Sequence, residues 1–248
     1  MIDKDKIFNQ DISKYIFYET ELGIVLKGDC LEILPLINNF QLLITDPPYE
    51  QCFNGGGCLA DRYNYRKKEV QKISKFNPLY FLEKILQFKN QGYIWTSKNI
   101  LDVYITKFKE LKISWDILTW NKTNPIPAHN NSYMSDIEFC LFYRFKNQYF
   151  NNELKYNDYK KTMLDNVADN NCGHPTQKYQ WMIEKFIKIS SKENDLILDC
   201  YAGSGTTAIA CENLNRRYIL IEKELEYYNI IKQRIENLPK YQFTGELF

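Results

Sequence analysis

The chain is poor in histidine and has no paired cysteines. Only His129 and His174 are present among 248 residues, too few for a metal site resting on imidazole ligands. Seven cysteines occur without a Cys-x-x-Cys spacing. An odd, unpatterned set offers neither a zinc motif nor a disulfide framework, so reduced thiols in a cytoplasmic protein are the simplest expectation. No apolar run reaches the roughly 20 residues of a bilayer span, and the chain is charged from its first residues, Met1 to Asp5, unlike a signal peptide. An excess of one charge is also missing: 32 Lys and Arg meet 31 Asp and Glu. Any nucleic-acid surface must therefore be local.

What is present is an alternation of short apolar runs with amphipathic stretches over a length suited to one domain, residues 1–248. Strands are expected at Gly23–Lys27, Gln41–Thr45, Gly92–Thr96, Trp115–Trp120, Ile137–Phe145, Asp195–Asp199 and Tyr218–Glu222. Helices are expected over Cys30–Leu36, Pro78–Lys89, Asn99–Leu111, Tyr179–Ser190, Thr206–Leu214 and Glu224–Leu238. This pattern predicts an α/β fold: a doubly wound, mostly parallel sheet with helices on both faces. Residues 50–75 lose the apolar period and are expected to form a mobile loop; residues 146–172, rich in Asn, Lys and Tyr, read as a short inserted segment.

Two motifs close apolar runs. Leu42 to Thr45 delivers Asp46-Pro47-Pro48-Tyr49, and Leu196 to Leu198 delivers Asp199-Cys200-Tyr201-Ala202-Gly203-Ser204-Gly205-Thr206-Thr207. The carboxyl ends of parallel strands open onto the ligand crevice, so both motifs should meet there. Gly203 and Gly205, with Ala202, Thr206 and Thr207 around them, permit a tight turn and a close approach of backbone amides to a cofactor. Gly203-x-Gly205-x-x-Ala208 also fits the loose dinucleotide pattern, which keeps NAD as an alternative. Glu222, closing the next strand, is placed for ribose hydroxyls in either case. Asp199 favours S-adenosylmethionine, because a carboxylate repels a pyrophosphate and attracts the ammonium of a methionine moiety. Asp29, at a further strand end, is a candidate for the adenine edge of the cofactor and equally for the N-cap of the following helix.

The first motif suits a planar amine. The lone pair of an aromatic exocyclic amine is delocalised into its ring, so attack on a methyl group requires acceptors that hold its hydrogens. Asp46 offers a carboxylate and Pro47 a carbonyl, while Pro47 and Pro48 stiffen the backbone. Tyr49 supplies a ring on which a flipped-out base can stack. An ordinary strand-end turn is the competing reading. No metal is needed, and neither Cys52 nor Cys58 has an evident histidine partner for thiolate catalysis.

With Asp-Pro-Pro-Tyr ahead of the glycine-rich motif, the chain resembles the amino-group DNA methyltransferases of adenine N6 and cytosine N4, in their circularly permuted beta class. Gly28-Asp29-Cys30-Leu31, Trp120-Asn121-Lys122-x-Asn124-Pro125, His174-Pro175-Thr176-Gln177-Lys178 and Tyr218-Ile219-Leu220-Ile221-Glu222 follow the class in order, from about Gly23 to Arg234. The resemblance implies S-adenosylmethionine as cofactor, with His174 and Lys178 beside it, and double-stranded DNA as substrate. Tyr179 departs from the family, which usually has a second proline there. Asp at the first tetrapeptide position implies adenine N6; cytosine N4 and a catalytically silent DNA-binding subunit remain as alternatives. The family's target-recognition region falls between Phe145 and His174, so residues 146–172 are expected to read DNA. Lys155, Lys160 and Lys161 there, with Lys122 and the loop residues Arg62, Arg66, Lys67 and Lys68, are the candidate DNA contacts. A homodimer and a companion restriction endonuclease fit the class.

Overall fold

The computed structural model describes residues 3–48, 76–125, 133–166 and 178–238. Nine strands are seen among them: β1 Ile16–Glu19, β2 Gly23–Lys27, β3 Leu42–Thr45, β4 Gln91–Thr96, β5 Ser114–Lys122, β6 Ile137–Arg144, β7 Thr162–Asp165, β8 Leu196–Asp199 and β9 Arg217–Glu222. The helices are α1 Lys4–Ile7, α2 Cys30–Ile33, α3 Pro78–Leu86, α4 Leu101–Glu110, α5 Gln180–Ser190, α6 Thr206–Asn213 and α7 Leu225–Glu236. All strands join one sheet in the order β1-β2-β9-β8-β3-β4-β6-β5-β7.

The middle of the sheet, β2-β9-β8-β3-β4, is parallel throughout. Its strands are buried on both faces, and they read as continuous apolar runs such as Leu42–Thr45 and Leu196–Asp199. Period-two alternation sends Leu26, Leu43, Leu198 and Ile219 to one face, where they pack with Phe81 and Ile85 of α3 and Tyr104 and Phe108 of α4. Val25, Leu42, Ile44 and Leu220 face the other way, against Phe186 of α5, Ile209 of α6 and Ile231 of α7. The Tyr93 ring stacks on Phe186 with centroids 4.0 Å apart and planes 5° from parallel, which binds α5 to β4.

Helix starts follow local chemistry. Asn77 caps α3 by accepting from Tyr80 N–H, with Pro78 at its first position. Asp29 caps α2 by accepting from Leu31 N–H at 3.0 Å.

Two strands lie outside the sequence expectation. β1 runs antiparallel on β2 with a register irregularity between Ile16 and Tyr18, and β7 adds a parallel edge to β5. β7 lies within residues 146–172, so part of the segment read as an insert extends the sheet. Further along, β6 runs antiparallel to both β4 and β5. The start of β6 therefore lies at the same edge of the sheet as the ends of β3, β4, β5 and β8, a fact that shapes the site.

Candidate active site

Strand-end carboxylates gather at one edge. Asp46 follows β3, Asp199 ends β8 and Glu222 ends β9, while Asp29 follows β2 by a glycine turn at Gly28. β3 and β8 are hydrogen-bonded neighbours, so the two motifs that the sequence holds far apart become adjacent.

Asp46 is held from one side. Lys178, in the residues entering α5, donates from Nζ to Asp46 Oδ2 at 2.5 Å. The same Nζ lies 3.2 Å from Glu138 Oε2, and Lys122 Nζ lies 2.7 Å from Glu138 Oε1. Lys178 also sits 5.0 Å above the Trp95 ring, and Trp95 meets Trp120 edge-on at 6.4 Å. Asp46 Oδ1 is buried and has no hydrogen-bond partner among the described residues. Burial raises the Asp46 carboxyl above its ordinary value, Lys178 pulls it down, and the charge of Glu138 raises it further. Burial would raise Glu138 as well, but the charges of Lys178 and Lys122 outweigh it and hold that carboxyl below its usual value. Pro47 is buried and Pro48 half-buried.

The glycine loop is braced by its own acids. Asp199 Oδ2 accepts from Thr207 Oγ1 at 2.6 Å and Oδ1 from Tyr201 N–H at 3.1 Å. Burial pushes the Asp199 carboxyl up to about 7. Gly203 and Gly205 adopt φ 51° and 77°, the left-handed region that favours glycine. Gly203 N–H donates to Glu222 Oε2 at 2.8 Å, while Glu222 Oε1 accepts from the N–H groups of Lys223 and Glu224 at 2.7 and 2.8 Å. Burial raises the Glu222 carboxyl against those three donors. Asp29 takes Lys223 Nζ at 2.9 Å in addition to its cap. Burial works against the ionised form there, but Lys223 and the Leu31 N–H hold its carboxyl below the usual value. Ala202, Thr206 and Thr207 are buried within the turn.

This set suits S-adenosylmethionine better than a dinucleotide. Three carboxylates, Asp29, Asp199 and Glu222, present acceptors at the ends of β2, β8 and β9, which match a ligand with an ammonium and ribose hydroxyls. The Gly203 amide, which a pyrophosphate would need, is already committed to a carboxylate. The chemistry of the donors thus sets aside the dinucleotide reading of Gly203-x-Gly205-x-x-Ala208.

Several contributors escaped the sequence reading. Glu138 opens an apolar strand and gave no motif signal. Trp95 lies beneath Lys178. Arg234, on α7, donates from Nη1 to the Ser204 carbonyl at 2.6 Å, Ser204 Oγ at 3.0 Å and Thr206 Oγ1 at 3.2 Å, pinning the loop from below. Lys178, expected near the cofactor, touches the Asp46 carboxylate. Tyr49, His174, Arg62, Arg66, Lys67 and Lys68 lie outside the described residues. Of the remaining DNA candidates, Lys122 is largely buried, its side chain 15% exposed, and its ammonium is paired with Glu138. That removes it from the exposed set. Lys155 and Lys160 are exposed, and Lys161 is exposed but paired with Asp116. Among the described residues no cluster of three metal-ligating side chains occurs and no helix is long and apolar enough to cross a membrane.

Comparison with known proteins identifies the family. The N6_N4_Mtase family model, described as DNA methylase, matches residues 40–233. The chain is 31% identical over 251 residues to the Type II methyltransferase M2.LlaDCHI of Lactococcus lactis subsp. cremoris, covering 91% of this chain and 93% of the relative. It is 29% identical over 249 residues to M2.DpnII of Streptococcus pneumoniae, covering 89% and 92%. The structure of M1.HpyAVI in complex with SAM aligns with a TM-score of 0.64 at 27% identity, over 86% of this chain and 99% of that one. The cytosine-N4-specific PvuII DNA methyltransferase shares the fold, with a TM-score of 0.71 at 16% identity over 93% and 92%. The matched span takes in both the Asp46 and the Asp199 strand ends, and on that coverage the chain belongs to the N6/N4 DNA methylase family.

Proposed function

We propose that the chain is a site-specific DNA methyltransferase that uses S-adenosylmethionine and modifies the N6 amine of a flipped-out adenine. The observation that carries this reading is Asp46 Oδ1: a buried carboxylate oxygen without a hydrogen-bond partner among the described residues, on a carboxyl group whose other oxygen is held by Lys178. A buried acceptor left unmatched is costly, and an amine hydrogen satisfies it.

When bound, S-adenosylmethionine supplies a methyl group carried on a sulfonium. Asp199 would hold the ammonium of that cofactor, Glu222 its ribose hydroxyls, and Asp29 its adenine edge, in the turn shaped by Gly203 and Gly205. Asp46 Oδ1 accepts one hydrogen of the substrate amine and the Pro47 carbonyl the other, which turns the lone pair out of the ring plane. The raised affinity of the Asp46 carboxyl for a proton suits it to take the one released from the product nitrogen. Tyr49 provides the stacking face for the base. Lys155, Lys160 and Lys161 contact DNA phosphates, together with Arg62, Arg66, Lys67 and Lys68, and residues 146–172 read the target. The Type II designation of the named relatives supports a cytoplasmic restriction-modification setting, with a companion endonuclease.

The test is transfer of labelled methyl groups to duplex DNA followed by hydrolysis and identification of the modified base. N6-methyladenine is the expected product; N4-methylcytosine would overturn the base assignment, and no transfer would favour the silent subunit. Asp46→Ala should abolish transfer while cofactor binding survives. Turnover by that variant would overturn the assignment of Asp46 as the amine acceptor.

A further inference from the structure

We infer that Glu138 is a positioning residue for methyl transfer: by anchoring Lys178, it fixes the Asp46 carboxylate so that Oδ2 is engaged by the lysine and Oδ1 is presented to the substrate amine. This rests on Asp46 being the amine acceptor. Four charges of alternating sign, Lys122, Glu138, Lys178 and Asp46, form a continuous chain with spacings of 2.7, 3.2 and 2.5 Å. Three of the four side chains are poorly hydrated: Lys122, Glu138 and Lys178 are 15, 19 and 6% exposed. Charges so buried persist only when each is paired, and here each inner charge lies between two of opposite sign or on an aromatic face.

The elements involved are far apart in sequence. Asp46 follows β3, Lys122 ends β5, Glu138 is the second residue of β6 and Lys178 precedes α5. Only the antiparallel course of β6, which pairs Glu138 with Trp120 and Phe139 with Thr96, carries a carboxylate to the edge where the parallel strands end. A lysine is a point charge on a flexible four-carbon stem. With Asp46 as its single carboxylate partner, Lys178 could straddle both oxygens and compete with the amine for Oδ1. Glu138, 3.2 Å away on the other side, draws the ammonium off centre. Glu138 itself is oriented by Lys122, whose ammonium also lies 5.4 Å from the Trp120 ring.

A purely structural Glu138 would neutralise buried charge and nothing more. A double-mutant cycle separates the two roles. Single-turnover methyl transfer to duplex DNA is measured for the full chain, Glu138→Gln, Lys178→Met and the double variant, with S-adenosylmethionine affinity by calorimetry and folding by thermal melting. In the glutamine variant the negative charge that draws Lys178 is gone whichever way the amide turns, so the anchor is weakened. The expected result is a transfer rate lowered by about 100-fold with cofactor affinity unchanged, and no further loss when Glu138→Gln is added to Lys178→Met. A rate equal to wild type for Glu138→Gln, or losses that multiply in the double variant, would overturn the inference. Should Glu138→Gln fail to fold, Lys122→Gln loosens the anchor from its far side: slower transfer at unchanged cofactor affinity supports the inference, and a wild-type rate overturns it. Wild-type protein with no transfer activity would overturn the functional reading and this inference with it, whereas an active wild type with a neutral Glu138→Gln overturns this inference alone.

Discussion

Replacing Asp199 with asparagine should stabilise the protein at neutral pH and weaken its grip on the cofactor. Burial holds the Asp199 carboxyl at about 7, against an ordinary value of 3.8. A rise of about three units at 1.36 kcal/mol each corresponds to about 4 kcal/mol of cost for keeping the group ionised in the fold. The folded chain binds the proton more tightly than the unfolded chain. This contribution to stability is therefore fully present below pH 4, declines as pH rises toward 7 and is flat above it. Asparagine stands in for the protonated acid: its Oδ1 can accept from Tyr201 N–H, and its amide can donate to the Thr207 hydroxyl, which rotates to accept. Asp199→Asn should match wild type near pH 4 and exceed it by up to about 4 kcal/mol at pH 8, or roughly 2–4 °C in melting temperature per kcal/mol for a chain of this size. Melting curves across that range measure the difference. The same substitution removes the partner proposed for the cofactor's ammonium. Wild-type affinity for S-adenosylmethionine should weaken by up to about tenfold per pH unit below 7, because a cationic ligand must expel the proton, while the variant binds weakly at every pH. Parallel melting of both proteins from pH 4 to 8 would refute the buried-charge argument. Equal cofactor affinity would refute the ammonium assignment.

Other expectations follow from neighbouring contacts. Lys178→Met leaves burial and the Glu138 charge to raise the Asp46 carboxyl unopposed, so the acidic limb of the transfer rate should move to higher pH, read from a pH–rate profile under single-turnover conditions. Arg234→Met removes three charge-assisted hydrogen bonds to the glycine loop; it should cost about 2 kcal/mol by denaturant titration and weaken cofactor binding by about tenfold. Gly205→Ala forces a side chain onto a residue at φ 77°, with its Cβ 3.0 Å from Ile231 Cγ1. It should cost about 1–2 kcal/mol for the backbone alone and lower the melting temperature measurably.

The core of the fold was legible because doubly buried parallel strands and one-faced helices leave strong local patterns. Leu42–Thr45, Leu196–Asp199 and Pro78–Leu86 were visible to within a few residues. β1 and β7 were not. Each has four residues; β1 is half-buried to exposed and β7 buries only Met163, so partner strands rather than local preference create them. At the site, Asp46, Asp199 and Glu222 announced themselves because strand ends and turn residues carry short-range signatures. Asp29 turned out to cap its helix, as one of its two readings held, and Lys122 proved an internal ion-pair partner because β6 brings Glu138 beside it.

The linear chain by itself determined the chemistry on offer: an Asp-Pro-Pro segment at a strand end, a glycine turn between strand and helix, and acids at strand ends, all set by residue type and spacing within a few positions. Tertiary structure decided which of these charges meet. Asp46, Glu138 and Lys178 are separated by 92 and 40 residues along the chain and become a single electrostatic unit only because β6 reverses direction beside β4. Coulomb interactions act through space, and no local pattern encodes a partner brought in by a distant strand.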